Sequence, residues 1–354
     1  MVPPLLSPVS LTILATYKCT AQCRECCFES SPYLTQRLSF EQILHRITEA
    51  VRSFPLLKLI CFSGGECFLL GDDLDRAVAH ATQLGMNTRC VSNGYWALTM
   101  ERAKARILSL KQSGLTELNI STGDEHQSFV PFDRVVNAAI ASANAGVTTL
   151  IVNEGSREAK FTKKEMMGHP RLKHFIETSA SSRNLRLMEN VWMSFHDDHA
   201  VTHEDSIYGV SGGCQNILAN IVATPDGQLA SCCGLTMEHI PEMKLGSGDN
   251  HDYAARYLSQ LNDFMKIWIA VDGPKKILDF AISKNPSIKP ARRAAHICEA
   301  CVQIYKDALV QATLEEHYGE IIGDVMMRFH IGRVVTRVPE AITCQEEQIN
   351  QICG

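Results

Sequence analysis

Three cysteines near the start of the chain are spaced in a way that suits a metal cluster. The segment Cys-Thr-Ala-Gln-Cys-Arg-Glu-Cys places thiols at Cys19, Cys23 and Cys26. Thiolates at this C-x3-C-x2-C spacing can hold three irons of a [4Fe–4S] cluster and leave the fourth iron without a protein ligand. A disulfide pair or a zinc site is the alternative for closely spaced cysteines. The open iron would be the reactive point of such a cluster.

A glycine-rich motif follows at the end of the next predicted strand. An apolar run over 56–62 leads into Ser63, Gly64, Gly65 and Glu66. Glycines let the backbone adopt positive φ and approach a ligand closely. The Glu66 carboxylate can accept a hydrogen bond from an ammonium group. Alone this motif indicates little more than a turn, but its place after the cysteine motif makes it informative.

The two motifs together resemble those of the radical SAM superfamily. The resemblance implies that the open iron binds the amino and carboxylate groups of S-adenosylmethionine (SAM). It also implies SAM contacts from Gly64, Gly65 and Glu66, at the C-terminal ends of the strands of a partial (β/α)6 barrel. Many members carry an aromatic residue just before the third cysteine, beside the adenine. This chain has Glu25 there, and Phe28 follows the cysteine instead.

Alternating strands and helices are predicted to position these motifs. We predict strands over 11–17, 56–62, 88–92, 117–121, 147–153 and 185–192. Helices are predicted after the N-cap residue Ser39, with Gln42 completing a capping box, and over 73–84, 101–112 and 132–144. Strands that alternate with helices in this way indicate an α/β fold with a parallel sheet.

Polar residues end three of the predicted strands. They are Ser92, Ser121 and Asn153. The resemblance makes them candidates for contacts to the ribose and carboxylate of SAM, and ordinary strand-end caps are the alternative. His126 lies in the loop after the fourth strand and could orient the substrate or SAM, or satisfy local hydrogen bonds. Three further cysteines in or beside the strands are expected to be packing residues: Cys61, Cys67 and Cys90.

A second set of cysteines occupies the last third of the chain. Cys214 and Cys232 flank a predicted hairpin over 217–224 and 229–231 with a Pro-Asp-Gly turn, and Cys298 and Cys301 form a C-x2-C pair. Helices are predicted on either side of that pair, over 264–280 and 306–317. Four thiols can ligate a complete [4Fe–4S] cluster or a zinc ion. The spacing alone does not choose between the two metals.

The pattern C-x12-G-x4-C, from Cys214 through Gly227 to Cys232, resembles the start of the SPASM and Twitch auxiliary-cluster domains. The shorter Twitch form, with one auxiliary [4Fe–4S] cluster, fits the cysteine count better. We therefore predict a radical SAM partial barrel over 1–205 and a Twitch-like domain with a C-terminal tail over 206–354. Cys344 and Cys353 in that tail are not assigned. A His-rich link over 196–203 is interpreted as a surface segment rather than a metal site.

Cys233 directly follows a predicted ligand, Cys232, and is not itself assigned to a cluster. Adjacent residues cannot easily both ligate one closed tetrahedral site, so its thiol is expected to point away from Cys232. An S–H bond is weaker than an ordinary C–H bond, so such a thiol could give a hydrogen atom to a substrate radical. A buried residue without chemistry is the alternative.

The motifs around Cys19 to Pro32, Ser121 to Val130, Asp226 to Cys233 and Ile297 to Cys301 resemble the radical SAM peptide epimerases that act on epipeptide precursors. In those enzymes the second cysteine of the Cys-Cys pair donates the hydrogen atom, and that role falls on Cys233. The resemblance implies SAM and two [4Fe–4S] clusters as cofactors. It further implies a ribosomal peptide substrate and a reductase or flavodoxin-type electron donor. We expect peptide recognition at the barrel mouth or by a separate leader-peptide-binding protein.

Two other functions remain open on the sequence. One is a radical SAM maturase that crosslinks a peptide, or a dehydrogenase of a small molecule, with the auxiliary cluster as electron acceptor. The other is a metal-stabilised binding protein without turnover. Composition narrows the partners, because a net charge of −5 gives no support for binding nucleic acid or an anionic membrane. Fourteen cysteines without a basic, apolar signal sequence predict a cytoplasmic, reducing location.

Overall fold

A parallel sheet whose strands alternate with helices forms the first half of the chain. The computed structural model describes residues 7–155, 159–190, 192, 212–234, 237, 239–290 and 296–335. Six strands pair in parallel with their sequence neighbours: β1 Ser10–Leu14, β2 Leu59–Ser63, β3 Asn87–Ser92, β4 Glu117–Thr122, β5 Thr148–Glu154 and β6 Leu185–Asn190. Each predicted barrel strand is present with its ends shifted by a few residues. The His-rich link and the two C-terminal cysteines lie outside the described residues.

Helices cover one face of this sheet. They are α1 Phe40–Ser53, α2 Asp72–Gln83, α3 Met100–Ser113, α4 Asp124–Gln127, α5 Phe132–Asn144, α6 Lys163–Gly168 and α7 Pro170–Thr178. Helix α1 begins at the predicted capping box, in which the Ser39 side chain accepts from the backbone N–H of Gln42 and the Gln42 side chain accepts from that of Ser39. Apolar residues of α1, such as Ile43 and Ile47, pack with Leu11 and Ile13 of β1 in one large core. Alternation along a strand therefore turns Thr12 and Leu14 to the opposite face of the sheet.

The later hairpin extends the same sheet. Strand β7 Asn220–Ala223 pairs in parallel with β1, and β8 Gln228–Ala230 and β9 Lys244–Ser247 follow in antiparallel order. The nine strands run in the order β6-β5-β4-β3-β2-β1-β7-β8-β9. The predicted hairpin is thus present, and it is joined to the barrel by hydrogen bonds along its first strand.

The remaining helices build a second core. They are α8 Tyr253–Ser259, α9 Phe264–Lys284, α10 Ile297–Lys306, α11 Ala308–His317 and α12 Ile322–Val335. Helix α9 is kinked at Gly273, whose φ is 78°, directly before Pro274. The second core gathers apolar residues of α9 to α12 around Trp268 and includes Cys232 and Cys301. The domain division at residue 205 stays a prediction. Within the described residues, no helix is long and apolar enough to cross a membrane.

Candidate active site

The loop after β1 carries the first three cysteines and aims N–H groups at their sulfur atoms. The backbone N–H of Ala21 lies 3.4 Å from Sγ of Cys19, and the backbone N–H of Ser30 lies 3.4 Å from Sγ of Cys26. The side-chain amide of Asn93, at the end of β3, lies 3.6 Å from Sγ of Cys19. Hydrogen bonds to ligand sulfurs stabilise an iron–sulfur cluster and tune its potential. Sequence reasoning missed Asn93, because an asparagine after a strand is not distinctive by itself.

The electrostatics of this loop also suit a shared metal cluster. Burial raises the pKa of Cys19 to about 12, and the nearby Cys26 raises it further. Burial likewise raises the pKa of Cys23 well above its usual range, and Glu25, Cys26 and Cys19 add to that shift. The three thiols are therefore close enough to oppose one another's ionisation. Ligation by a metal would displace their protons and offset this repulsion, so the donor set fits the predicted [4Fe–4S] cluster.

Gly64 and Gly65 bring the end of β2 against the cysteine loop. Gly64 has a φ of 117°, and a Cβ there would lie 2.4 Å from the carbonyl oxygen of Thr16. A Cβ on Gly65 would lie 2.3 Å from the carbonyl oxygen of Lys18. The backbone N–H groups of Gly65 and Glu66 donate to those same carbonyls, at 2.6 and 3.0 Å. Only glycine permits this close approach. The motif therefore supports the cysteine loop, independently of any contact that it makes with SAM.

The carboxylate of Glu66 is fully buried and binds groups of its own chain. Its Oε1 accepts from the backbone N–H of Phe68 at 3.0 Å. Its Oε2 accepts from Oγ of Ser92 at 3.0 Å and from the backbone N–H of Asn93 at 2.8 Å. Burial raises the pKa of Glu66 to about 7 despite these three bonds. Two residues proposed as SAM contacts, Glu66 and Ser92, thus contact each other, and their role towards SAM stays a prediction.

Ser121 and Asn153 end neighbouring strands of the sheet. Both are buried, and the register pairs Ser121 with Val152, one residue before Asn153. The Asn153 side chain donates to the carbonyl oxygen of Phe161 at 3.0 Å. Its Oδ1 is buried and has no hydrogen-bond partner among the described residues. An unmatched buried acceptor is costly and would suit a hydroxyl of the ribose, which is compatible with the predicted role.

A second group of polar side chains lies directly beside Cys23. A sulfur of Cys23, a carboxylate oxygen of Glu25 and a ring nitrogen of His126 lie within 4.8 Å of one another. Burial raises the pKa of Glu25 to about 9, and a hydrogen bond and charge repulsion from Glu154 raise it further. Burial lowers the pKa of His126 to about 4, so its ring is neutral at pH 7. Glu25, which departs from the family pattern, is therefore one of two neighbouring buried carboxyls at the end of the barrel.

The second set of cysteines converges near Gly234. A Cβ on Gly234 would lie 2.8 Å from Sγ of Cys232 and 3.5 Å from Sγ of Cys298, which places these two sulfurs around one point. Cys298 and Cys301 lie three residues apart on α10, so they share one face of that helix. Burial raises the pKa of Cys232, and Cys233, Cys214 and Cys298 raise it further. The ligand set of Cys214, Cys232, Cys298 and Cys301 stays a prediction, as do the identity and number of the clusters.

Cys233 lies in a different environment from Cys232. It packs, together with Phe28, against a small cluster formed by Leu14, Val222, Ala230 and Met237, which we call the Leu14 cluster. Its Sγ lies 3.8 Å from Oδ1 of Asn216. Burial raises the pKa of Cys233, while hydrogen bonds with Asn220 and Thr12 lower it, with burial dominant. The thiol therefore keeps its hydrogen at neutral pH, on the sheet face that α1 leaves uncovered. Phe28 shares this cluster, and its predicted adenine contact stays a prediction.

Comparisons with known proteins agree with this architecture. No protein-family model matches the chain. It is 23% identical over 318 residues to the putative peptide biosynthesis protein YydG of Bacillus subtilis (strain 168), covering 86% of this chain and 95% of that protein. The solved structure of histidine-tagged anSMEcpe with bound AdoMet, which is SAM, matches with a TM-score of 0.54 at 14% identity, over 91% of this chain and 95% of that one.

A second structure of the same protein extends the match to a peptide complex. Native anSMEcpe with bound AdoMet and the Cp18Cys peptide matches with a TM-score of 0.50 at 14% identity, over 91% of this chain and 99% of that one. At such low identity these likenesses describe the fold. The predicted α/β fold with a parallel, partial barrel is confirmed.

Proposed function

We propose that this chain, which has the fold and the two diagnostic motifs of the radical SAM superfamily, is a peptide epimerase. Cys19, Cys23 and Cys26 would hold the first cluster, which, once reduced by one electron from a reductase or flavodoxin-type donor, would supply with SAM a 5′-deoxyadenosyl radical that removes the Cα hydrogen of an L-residue. Cys233 then donates the hydrogen atom of its thiol to the opposite face of that carbon, which gives the D-residue. One electron from a reductase or flavodoxin-type donor and one proton from solvent restore the Cys233 thiol.

The different surroundings of Cys232 and Cys233 are the observation that carries this proposal. Cys232 belongs to the second core, and its sulfur and that of Cys298 both lie close to Gly234. Cys233 packs on the Leu14 cluster, beside strands β1 and β7 of the barrel sheet. The two adjacent thiols thus lie in two different environments. One can ligate an auxiliary cluster while the next stays protonated and available as a hydrogen donor.

Surrounding groups favour a thiol rather than a thiolate at Cys233. Burial is the main cause of its raised pKa. Burial also raises the pKa values of Cys61 and Cys27, whose thiols lie close enough to Cys233 to interact electrostatically. A hydrogen-atom donor must hold its proton, so an apolar, partly buried setting suits the role.

Two relatives support a peptide substrate. YydG is named as a peptide biosynthesis protein, and anSMEcpe was solved with a bound peptide. We propose a ribosomal peptide as the substrate of this chain, recognised at the barrel mouth or through a separate leader-peptide-binding protein. We propose the cytoplasm as its location, because a chain of fourteen cysteines, eight of them proposed as cluster ligands or hydrogen donor, needs a reducing compartment.

Substitution of Cys233 tests the proposal. The test substrate would be a peptide encoded by a small open reading frame next to the gene, and the reaction is run anaerobically in D2O. The unaltered enzyme should form a D-residue that carries one deuterium at Cα. Cys233→Ala should still form 5′-deoxyadenosine but no D-residue. Cys61→Ala is the matched control, because Cys61 is a second buried thiol near Cys233, and it should epimerise normally.

Iron content distinguishes the loss of the hydrogen-atom donor from the loss of the auxiliary cluster. Cys233→Ala should keep the iron of the unaltered protein, whereas Cys232→Ser should lose the share held by the auxiliary site. A D-residue formed by Cys233→Ala would refute the assignment. A product lighter by two hydrogens would instead indicate oxidation or crosslinking, with the auxiliary cluster as the electron acceptor.

A further inference from the structure

A cluster of two histidines and a glutamate lies away from the cysteine sites, where α1 meets the segment after β9. His45 and Glu49 are four residues apart on α1, which places them on one face of that helix. His251 lies in the loop between β9 and α8. One ligand atom from each of the three residues falls within 4.8 Å of the other two.

The geometry within the cluster brings its potential ligand atoms close together. Nδ1 of His251 lies 2.9 Å from Oε1 of Glu49. The rings of His45 and His251 meet edge to face, with their centroids 5.0 Å apart. Nε2 of His45 is buried and has no hydrogen-bond partner among the described residues. A buried nitrogen that lacks a partner costs free energy, and a metal ion between these three groups would remove that cost.

The chemistry of the three groups matches a zinc site. Two imidazole nitrogens and one carboxylate form a common zinc ligand set, which leaves the fourth tetrahedral position to water. Only 5% of Glu49 is exposed, so its negative charge is poorly solvated and favours a nearby cation. Arg52 binds Oε2 of Glu49, which leaves Oε1 to face the two histidines. Outer contacts of this kind orient a ligating carboxylate.

Neighbouring contacts hold the two elements together before any ion binds. Arg46 of α1 is fully buried and bonds to the carbonyl oxygen of Gly248 and to Oδ1 of Asp249, the latter at 2.8 Å. Gln42 reaches the same Oδ1 at 3.3 Å, and Tyr253 donates to the Gly248 carbonyl at 2.9 Å. These bonds fix the loop that carries His251 against α1, so the three ligands are preorganised.

We propose that His45, Glu49 and His251 bind a divalent cation of the zinc type, which fastens α1 of the barrel to the segment after β9. The site uses none of the cysteines assigned to the clusters. It therefore stands independently of the proposed epimerisation. Its role is to stabilise the joint between the barrel helix and the later part of the chain.

Zinc binding to the cluster-loaded protein tests the site. Loading both cluster sites first, under anaerobic conditions, occupies the seven cysteines assigned to the clusters. Titration with Zn²⁺ should show one ion per chain. The ion should also raise the melting temperature, because a ligand that binds only the folded state stabilises it. His251→Ala and His45→Ala should each weaken binding by about tenfold or more, in line with the 10- to 100-fold losses seen even for outer-shell changes at metal sites.

A matched histidine and a spectroscopic probe make the test specific. His174, on α7, lies outside the cluster, so His174→Ala should bind zinc normally. Co²⁺ in place of Zn²⁺ should give a visible spectrum of nitrogen and oxygen ligands without sulfur-to-cobalt charge transfer. His251→Ala should keep the iron content of the unaltered protein, since His251 is exposed. Absence of zinc binding by the unaltered protein, or undiminished binding by both histidine variants, would refute the site.

Discussion

The hydroxyl of Ser92 donates a 3.0 Å hydrogen bond to Oε2 of Glu66, at the end of two neighbouring strands. The same Ser92 oxygen accepts from Nε1 of Trp96 at 3.0 Å and from the backbone N–H of Gly94 at 3.1 Å. One buried hydroxyl thus joins the β2 motif to the turn after β3. Asn93, the residue after Ser92, in turn reaches Sγ of Cys19 at 3.6 Å, so this network also contacts the cysteine loop.

Ser92→Ala should destabilise the protein measurably. The change removes one hydrogen-bond donor from the buried Glu66 carboxylate. It also removes the hydrogen-bond acceptor of the Trp96 indole N–H. Loss of partners for buried polar groups costs about 1–3 kcal/mol, and the free energy of unfolding should fall by that amount. Urea unfolding followed by circular dichroism measures it. Ser128→Ala is the control, because its exposed hydroxyl makes one long bond of 3.4 Å, and its unfolding curve should match that of the unaltered protein.

Gly65→Ala should damage the first cluster rather than the whole fold. The new methyl group would overlap the carbonyl of Lys18, at 2.3 Å, and would push the cysteine loop away from β2. SAM cleavage should fall by roughly 100-fold, the penalty that a displacement of about 1 Å can impose on a reacting group. Iron content should fall with it. Gly168→Ala is the control, since a Cβ there meets nothing within 4 Å. Full SAM cleavage by Gly65→Ala would contradict the bracing role of this motif.

Asp272 should contribute to the loss of stability of the second core at acidic pH. Burial would raise its pKa, but hydrogen bonds from Arg328 and Lys276 outweigh that effect and hold it below the ordinary value of 3.8. Arg328 reaches both carboxylate oxygens, at 2.6 and 3.1 Å, and so ties α12 to α9. Because the folded pKa is the lower one, this stabilisation is present above pH 3.8 and is lost as the pH falls through the folded pKa.

Asp272→Asn should therefore lower the free energy of unfolding at pH 7 by about 1.5–3 kcal/mol, the usual contribution of a hydrogen bond to a charged group, because Arg328 and Lys276 stay partly exposed to water when they lose their partner. The difference from the unaltered protein should shrink as the pH drops below 3.8. Unfolding by urea from pH 7 to pH 3 measures both effects. Asp279→Asn removes an exposed i,i+4 partner of Lys275 and should cost less than about 0.5 kcal/mol. If the difference in free energy of unfolding between Asp272→Asn and the unaltered protein stayed constant across this pH range, the proposed effect of Asp272 ionisation on stability would be excluded.

The local pattern of the sequence predicts most of the barrel elements. Helix α5 spans Phe132–Asn144, the predicted range, and α1 begins at the predicted Ser39 capping box. Element ends differ from the predictions: α9 continues to Lys284, past a kink that the Gly273-Pro274 pair could have indicated. The C-x2-C pair lies inside a helix of its own, α10, which was not predicted.

The sequence does not predict which residues distant along the chain contact each other. The hairpin motif predicts β7 and β8, but nothing in it identifies β1 as the neighbour of β7. Similarly, His45 and Glu49 are visible as an i,i+4 pair, whereas His251 joins them only through the fold. Asn93 reaches Cys19 for the same reason, since the turn after β3 comes back over the cysteine loop.

The pairing of β1 with β7 has a consequence for how the chain folds. Ser10 pairs with Asn220, so one edge of the first strand must wait for more than half of the polypeptide to be synthesised. Contacts so distant in sequence form slowly, and until then β1 presents an open edge that can recruit other chains. A nascent or truncated chain that ends before residue 220 should therefore aggregate through β1. Release of the later segment from the ribosome would allow β7 to pair with β1 and cover this open edge.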